Sequence, residues 1–129
     1  MKKVWVNGCF DILHRGHMEL FKHAKSKGDY LIVGIDTDRR VRESKGPERP
    51  INNQEDRKFF LECIRFVDEV IVFDNEVELK KLIKQNEIDC MMVGSDWRNK
   101  KVIGSECSKE LLFFNRIGNY STTKILEKK

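Results

Sequence analysis

His14 and His17 stand three positions apart, with Gly16 between them, at the end of the run Gly8-Cys9-Phe10-Asp11-Ile12-Leu13-His14-Arg15-Gly16-His17. Apolar spacing predicts a strand before this run and a helix from His17 onward, so both imidazoles fall at a helix entrance. Free N–H groups and the positive end of the helix dipole make such an entrance attractive to anions. A glycine there lets the backbone turn closely. Imidazole N–H groups at the same place would donate to phosphate oxygens. Metal ligation and simple capping are the alternatives. With only Asp11 as a candidate third ligand, the pair makes a poor zinc site, and no metal site is expected.

A second anion-binding pattern lies near the other end of the chain. Ser121-Thr122-Thr123 opens an apolar-periodic segment, and hydroxyls with free N–H groups at a helix start can either hold an anion or act as an ordinary cap. Lys plus Arg total 25 and Asp plus Glu 21, a net charge of +4. That mild and evenly spread surplus suits small anionic ligands and argues against a nucleic-acid partner. The four cysteines, Cys9, Cys63, Cys90 and Cys107, form no Cys-x-x-Cys motif. Cys63 and Cys90 lie in apolar stretches and are expected in the core. No apolar run approaches the ~18 residues that cross a bilayer, and the first residues lack a signal-peptide pattern, so a cytoplasmic protein without a membrane partner is expected.

These residues need elements to position them. Strands are expected at 3–7, 30–35, 69–73, 90–93 and 111–114, and helices at 17–27, 53–66, 77–86 and 122–128, with a helical turn over 105–110. Gly28 is expected to stop the first helix as a C′ glycine. Asn53 is expected to cap the second, with Phe59, Phe60, Cys63, Ile64 and Val67 inward. Residues 36–52, which hold both prolines, are expected as a polar loop. With 129 residues, the chain is expected to form a single domain. Alternating strands and helices imply a doubly wound α/β fold, a five-stranded parallel sheet with helices on both faces. Ligands on such sheets bind at the carboxyl ends of the strands.

The run Gly8-x-Phe10-Asp11-x-Leu13-His14-x-Gly16-His17 resembles the signature of the HxGH nucleotidyltransferases. Similarity to the small cytidylyltransferases continues in Gly28-Asp29-Tyr30-Leu31, Arg57-Lys58, Ile64-Arg65-Phe66-Val67-Asp68-Glu69-Val70-Ile71 and Ser121-Thr122-Thr123-Lys124-Ile125. The resemblance implies a Rossmann-like fold, a homodimer, and Mg²⁺ arriving with a nucleoside triphosphate. It implies a reaction in which an acceptor phosphate attacks the α-phosphate and pyrophosphate leaves. His14 and His17 would stabilise the α-phosphate, with backbone N–H groups from Cys9 and Phe10, and Gly8, Asp11 and Gly16 would also be nucleotide-binding. Ser121, Thr122 and Thr123 would cradle the outer phosphates. Arg116 matches the arginine of an Arg-Thr-x-Gly-Ile-Ser-Thr pattern, although Ile117, Gly118, Asn119 and Tyr120 depart from it. Gly94-Ser95-Asp96-Trp97 resembles the family's Gly-Asp-Asp-Trp segment. There Asp96 would accept from an amino group or ribose and Trp97 would pack near the base. Otherwise they are a capping aspartate and a rim tryptophan. Lys45 is the expected phosphate contact of the second loop, with a part in catalysis, while Arg39, Arg40 and Arg42 are expected to be solvated. Arg57 and Arg65, eight residues apart, are expected on one side of a single helix, in substrate binding or at a dimer interface.

Two relatives differ in substrate. Trp97, Arg116 and the block 64–71 resemble the glycerol-3-phosphate type, which uses CTP. Lys45-Gly46, Arg49-Pro50-Ile51-Asn52, Glu55-Asp56-Arg57 and Val102-Ile103-Gly104-Ser105-Glu106 resemble the heptose-phosphate type, which uses ATP. CTP with a small polyol or sugar phosphate is the favoured expectation, and ATP with a heptose phosphate the alternative. An inactive nucleotide-binding module would be expected to show damage in the histidine or Ser-Thr-Thr segments, and both are intact.

Overall fold

The computed structural model describes residues 1–115. The chain runs β1 (Lys3–Gly8), α1 (Arg15–Ser26), β2 (Tyr30–Asp36), α2 (Asp38–Lys45), α3 (Gln54–Glu62), β3 (Glu69–Phe73), α4 (Glu76–Gln85), β4 (Cys90–Gly94) and β5 (Glu110–Phe114). The strands form one five-stranded sheet in the order β3-β2-β1-β4-β5, and every pairing is parallel. This is the doubly wound α/β arrangement of a Rossmann-like fold.

Side chains of a strand alternate between faces, and both faces here are apolar. Val4 and Val6 of β1 join Leu31, Val33 and Ile35 of β2 in a core that takes Phe21 and Ala24 from α1 and Leu61 from α3. Trp5 and Ile32 point the other way, into a core with Leu79 and Ile83 of α4. Gly34 lies against the Trp5 ring, and a Cβ there would sit 2.4 Å from Trp5 Cζ2. The glycine is what allows so large a side chain to lie flat on its neighbour strand.

The crevice that matters opens at the switch in strand order. β1 pairs with β2 along its whole length, from Lys3 opposite Tyr30 to Gly8 opposite Ile35. Its register with β4 covers just Val4 opposite Cys90 and Trp5 opposite Met91. Beyond that point the two strands part.

Several elements differ from expectation. α2 occupies the predicted loop 36–52. Its apolar signal is one buried residue, Val41, so periodicity missed it, but Thr37 caps it by accepting from the Arg40 N–H. α3 ends at Glu62, and turn hydrogen bonds from Ile64 to Leu61 and from Val67 to Ile64 carry the chain into β3. Its inner face is Arg57 and Leu61, while Phe59 and Phe60 are 62% and 44% exposed. Cys63 is exposed as well, whereas Cys90 is in the core, where burial pushes its thiol up to about 11. Gly28 follows α1 without the left-handed backbone of a C′ glycine. It is a contact glycine, where a Cβ would lie 2.7 Å from the Lys2 carbonyl oxygen. The expected turn at 105–110 is a single 3-10 turn over Ser105–Cys107. The expected helix 122–128 lies outside the described residues. No helix among the described residues is long and apolar enough to cross a membrane.

Candidate active site

Where β1 and β4 part, a cavity of about 530 Å³ opens at the carboxyl ends of the strands. Gly8, Cys9, Phe10, His14, Gly16 and His17 form one wall of it. Their geometry follows from local constraints. His14 is the N-cap of α1, with extended backbone at φ −142° and ψ 177°. The His14 N–H donates to His17 Nδ1 at 3.2 Å. A neutral His17 must then carry its proton on Nε2, which makes Nε2–H a donor. The two rings stack with centroids 3.8 Å apart and planes 22° apart. Beneath them Phe10 adopts a left-handed backbone, φ +46°, that a bulky residue rarely takes. Its ring is buried edge-on against His17 at 5.2 Å and against Phe21 at 5.1 Å. Gly8 makes room, since a Cβ there would lie 3.1 Å from Phe10 Cζ. Phe10 is thus a wedge that carries the histidine pair on the core.

Asp11 and Arg57 hold this loop from below and do not line the cavity. The Asp11 carboxylate is buried and accepts from the N–H groups of Ile51 and Asn52, each at 2.8 Å, and from Arg49 Nε at 2.8 Å. Burial opposes its ionisation, yet the Asn52 and Ile51 N–H groups and the Arg49 guanidinium outweigh that cost and hold the carboxyl below its usual range. Arg57 is 1% exposed. It donates to the carbonyls of Asn52 at 3.0 Å and Cys9 at 2.8 Å, and to Asp38 Oδ1 at 2.8 Å. Every face of the guanidinium is committed to joining the motif loop, the segment 49–53 and the start of α2. Arg57 is a positioning residue here, where substrate binding or a dimer interface was expected. Arg65 is exposed beyond the end of α3, with its guanidinium 5.0 Å over the Phe66 ring; it shares no helix with Arg57 and, like Arg57, does not line the cavity.

The remaining walls come from the loops after β2 and β4. Lys45, at the end of α2, lines the cavity as expected of its position. So do Asp36, Arg40 and Arg49, which sequence reasoning did not place there. Arg40 Nε donates to Asp36 Oδ1 at 2.6 Å, and the guanidinium lies 5.6 Å over the Phe73 ring. The signal available for Arg40 was its i,i+4 spacing from Asp36 at a strand end. Arg49 had none beyond the resemblance of its segment. Gly94, Asp96 and Trp97 line the opposite side, where Asp96 folds back so closely that a Cβ on Gly94 would meet its Oδ1 at 2.6 Å. Trp97 is 43% exposed, with Lys100 Nζ 5.7 Å over its ring. Arg116, Ser121, Thr122 and Thr123 lie outside the described residues. Among the described residues, no group of three or more His, Cys, Asp or Glu is placed to hold a metal ion.

Comparison with known proteins gives a consistent set of likenesses. Residues 5–128 match the family described as cytidylyltransferase-like. The chain is 45% identical to the bifunctional protein HldE of Campylobacter fetus over 125 residues, 97% of this chain and 27% of that protein. Identity to the bifunctional protein HldE of Helicobacter pylori strain P12 is 44% over 127 residues, 98% of this chain and 27% of that protein. The chain thus spans about a quarter of the length of these curated relatives. Among solved structures, the lipopolysaccharide core biosynthesis protein from Thermoplasma volcanium matches with a TM-score of 0.77 at 24% identity, over 92% of this chain and 99% of that one. At that identity the likeness speaks to the fold alone.

Proposed function

The chain belongs to the cytidylyltransferase-like family of nucleotidyltransferases, and from that premise we propose that it transfers AMP from ATP to a sugar phosphate of the heptose-phosphate class. The observation that carries this reading is the segment 45–57, which resembles the heptose-phosphate type and supplies Lys45 and Arg49 to the cavity wall. The match to the bifunctional protein HldE points the same way. This reverses the preference for CTP. A polyol phosphate and CTP form the second reading, favoured by Trp97 and the block 64–71.

In the proposed reaction, a phosphate oxygen of the acceptor attacks the α-phosphorus in line. A new P–O bond forms, the bond from the α-phosphorus to the bridging oxygen breaks, and pyrophosphate leaves with that electron pair. A phosphate monoester has its second pKa near ~6, so the nucleophile is already ionised at neutral pH and needs no base. The work left to the protein is positioning and charge stabilisation. His17 Nε2–H and His14 would donate to the α-phosphate oxygens, with the backbone at Cys9 and Phe10 beside them. Arg116, Ser121, Thr122 and Thr123 are proposed for the outer phosphates, and Asp96 and Trp97 for the nucleoside. Mg²⁺ is proposed to come on the triphosphate's own oxygens, as is usual for this ion with phosphates. A homodimer is proposed as well, with exposed Phe59 and Phe60 as apolar surface for it.

The test is a melting comparison with ATP and CTP, followed by pyrophosphate release with Mg²⁺ and a panel of heptose phosphates and glycerol 3-phosphate. A ligand at ~100 times its Kd stabilises by about 2.7 kcal/mol, so the expected result is a clear shift with ATP and turnover with a heptose phosphate. A shift with CTP alone selects the second reading. No shift with either, and no pyrophosphate from any pair, overturns both.

A further inference from the structure

We propose that Arg49, assisted by Lys45, is the receptor for the acceptor's phosphate, and that Asp11 aims it. The inference rests on the cavity being a nucleotidyltransferase site, because it names the substrate group that this site must hold beside the triphosphate.

Arg49 is an unusual arginine for a loop. Its side chain is 14% exposed, and its Nε is bonded to the fully buried Asp11 carboxylate at 2.8 Å. Neither Nη1 nor Nη2 makes a hydrogen bond to a described residue, and Arg49 lines the cavity. A guanidinium carries five N–H groups in a planar fork. With the Nε edge taken by Asp11, the Nη1–Nη2 edge is left to take two oxygens of one phosphate. The nearby carboxylates Asp36 and Asp38 are engaged by Arg40 and Arg57. Lys45 adds a second positive charge on the same wall, at the exposed end of α2. The loop after β4 presents Met91, Val93, Ile103 and Trp97, which suit a base and ribose, and among the described lining residues the Lys and Arg are Arg40, Lys45 and Arg49.

The clamp also explains alignment. Asp11 belongs to the same rigid loop as Phe10 and His14, and its carboxylate is held ionised below the usual range, so it keeps its grip at neutral pH. The anchor for the acceptor and the donors for the α-phosphate are therefore two ends of one piece of structure. An acceptor phosphate on Arg49 is presented to the α-phosphorus by the same loop that carries the histidines.

The experiment is steady-state pyrophosphate release by Arg49→Lys and Lys45→Ala with ATP, CTP, a heptose phosphate and glycerol 3-phosphate. A lysine can keep the ion pair with Asp11 but has no planar fork, so it cannot hold Asp11 on one edge and take two oxygens of a phosphate on another. The expected result is a 10- to 100-fold rise in KM for the acceptor in Arg49→Lys, with the triphosphate KM and the triphosphate melting shift unchanged. Lys45→Ala, on an exposed helix end, should show the same signature at about 5-fold. An unchanged acceptor KM in both variants overturns the proposal. So does an equal rise for acceptor and triphosphate, which would mean that Arg49 only holds the loop. If the unsubstituted protein releases pyrophosphate from no pair, the functional reading has failed, and the subsite is judged by equilibrium binding of inorganic phosphate. Loss of that binding in Arg49→Lys supports the subsite, and equal binding refutes it.

Discussion

Two walls face each other across the cavity, and they are built on opposite plans. The motif loop between β1 and α1 is pinned at nearly every residue. Phe10 accepts a strained φ of +46° to wedge under His17, Asp11 is clamped by Ile51, Asn52 and Arg49, and the Cys9 carbonyl is held by Arg57. The loop after β4 is held by short turn hydrogen bonds, Arg98 to Ser95 at 3.2 Å and Lys100 to Trp97 at 3.1 Å, and ends in a tryptophan 43% exposed. Groups that stabilise developing charge gain most when they need no reorganisation, so strain of about 1–3 kcal/mol at Phe10 is tolerable there. Groups that recognise a base can adjust as it binds. The contrast predicts that damage to the first wall appears in turnover and damage to the second in affinity.

The largest effect should come from the histidines. His14→Ala or His17→Ala removes a donor aimed at the transition state, and kcat should fall about 10²- to 10³-fold, judged from lost oxyanion donors. The triphosphate melting shift should stay within a factor of a few in Kd. Steady-state kinetics beside a melting titration separates the two. If kcat survives and binding collapses, the first wall is a binding surface and the comparison fails.

Next comes the clamp. Asp11→Asn sets an amide donor against the Ile51 and Asn52 N–H groups and leaves Arg49 without its counter-charge, a loss of about 3 kcal/mol by analogy with broken buried pairs. The pH dependence has a definite sign. A carboxyl whose folded pKa is depressed contributes stability above its unfolded pKa and loses it as pH falls through the folded value. Stability of the unsubstituted protein should therefore drop more steeply than that of Asp11→Asn as pH falls below about 4. Denaturant midpoints at pH 7 and pH 3 measure this, and parallel losses in the two proteins would remove Asp11 as the clamp.

The same contrast explains what could be read before the fold was known. The strands and the histidine loop were legible because β1, β2 and β4 are continuous apolar runs and the motif is long and ordered. α2 was not, because its inward face holds a single apolar residue, Val41, and so shows no apolar periodicity. Phe59 and Phe60 misled because apolar spacing cannot report that a buried arginine has claimed the inner face. Arg57 and Asp11 were marked as site residues from the resemblance of their segments, but the distinction between contacting a ligand and positioning a loop is held in hydrogen bonds 40 to 48 residues apart in sequence. Arg49 lay beyond pattern altogether, as its meaning depends on what its Nε touches.

The smallest effect should fall on the adaptable wall. Trp97→Ala removes a ring that lines the cavity but is 43% exposed, with the Lys100 ammonium 5.7 Å over it. No core cluster includes it, so stability without ligand should change by no more than about 0.5 kcal/mol, as for most surface substitutions. Stacking of an aromatic side chain on a base is worth about 1–3 kcal/mol, and a half-exposed ring belongs at the lower end. The expected outcome is a rise of about 5- to 10-fold in the triphosphate Kd, measured by fluorescence-independent calorimetry because the variant loses an indole, with kcat at saturation within about 2-fold. Retaining affinity while losing turnover would invert the division between the two walls, since it would give the exposed ring a part in the chemistry that its geometry does not provide. Equal losses for ATP and CTP are expected too, because every base offers a π face. A loss confined to one of them would make Trp97 the residue that chooses the nucleotide.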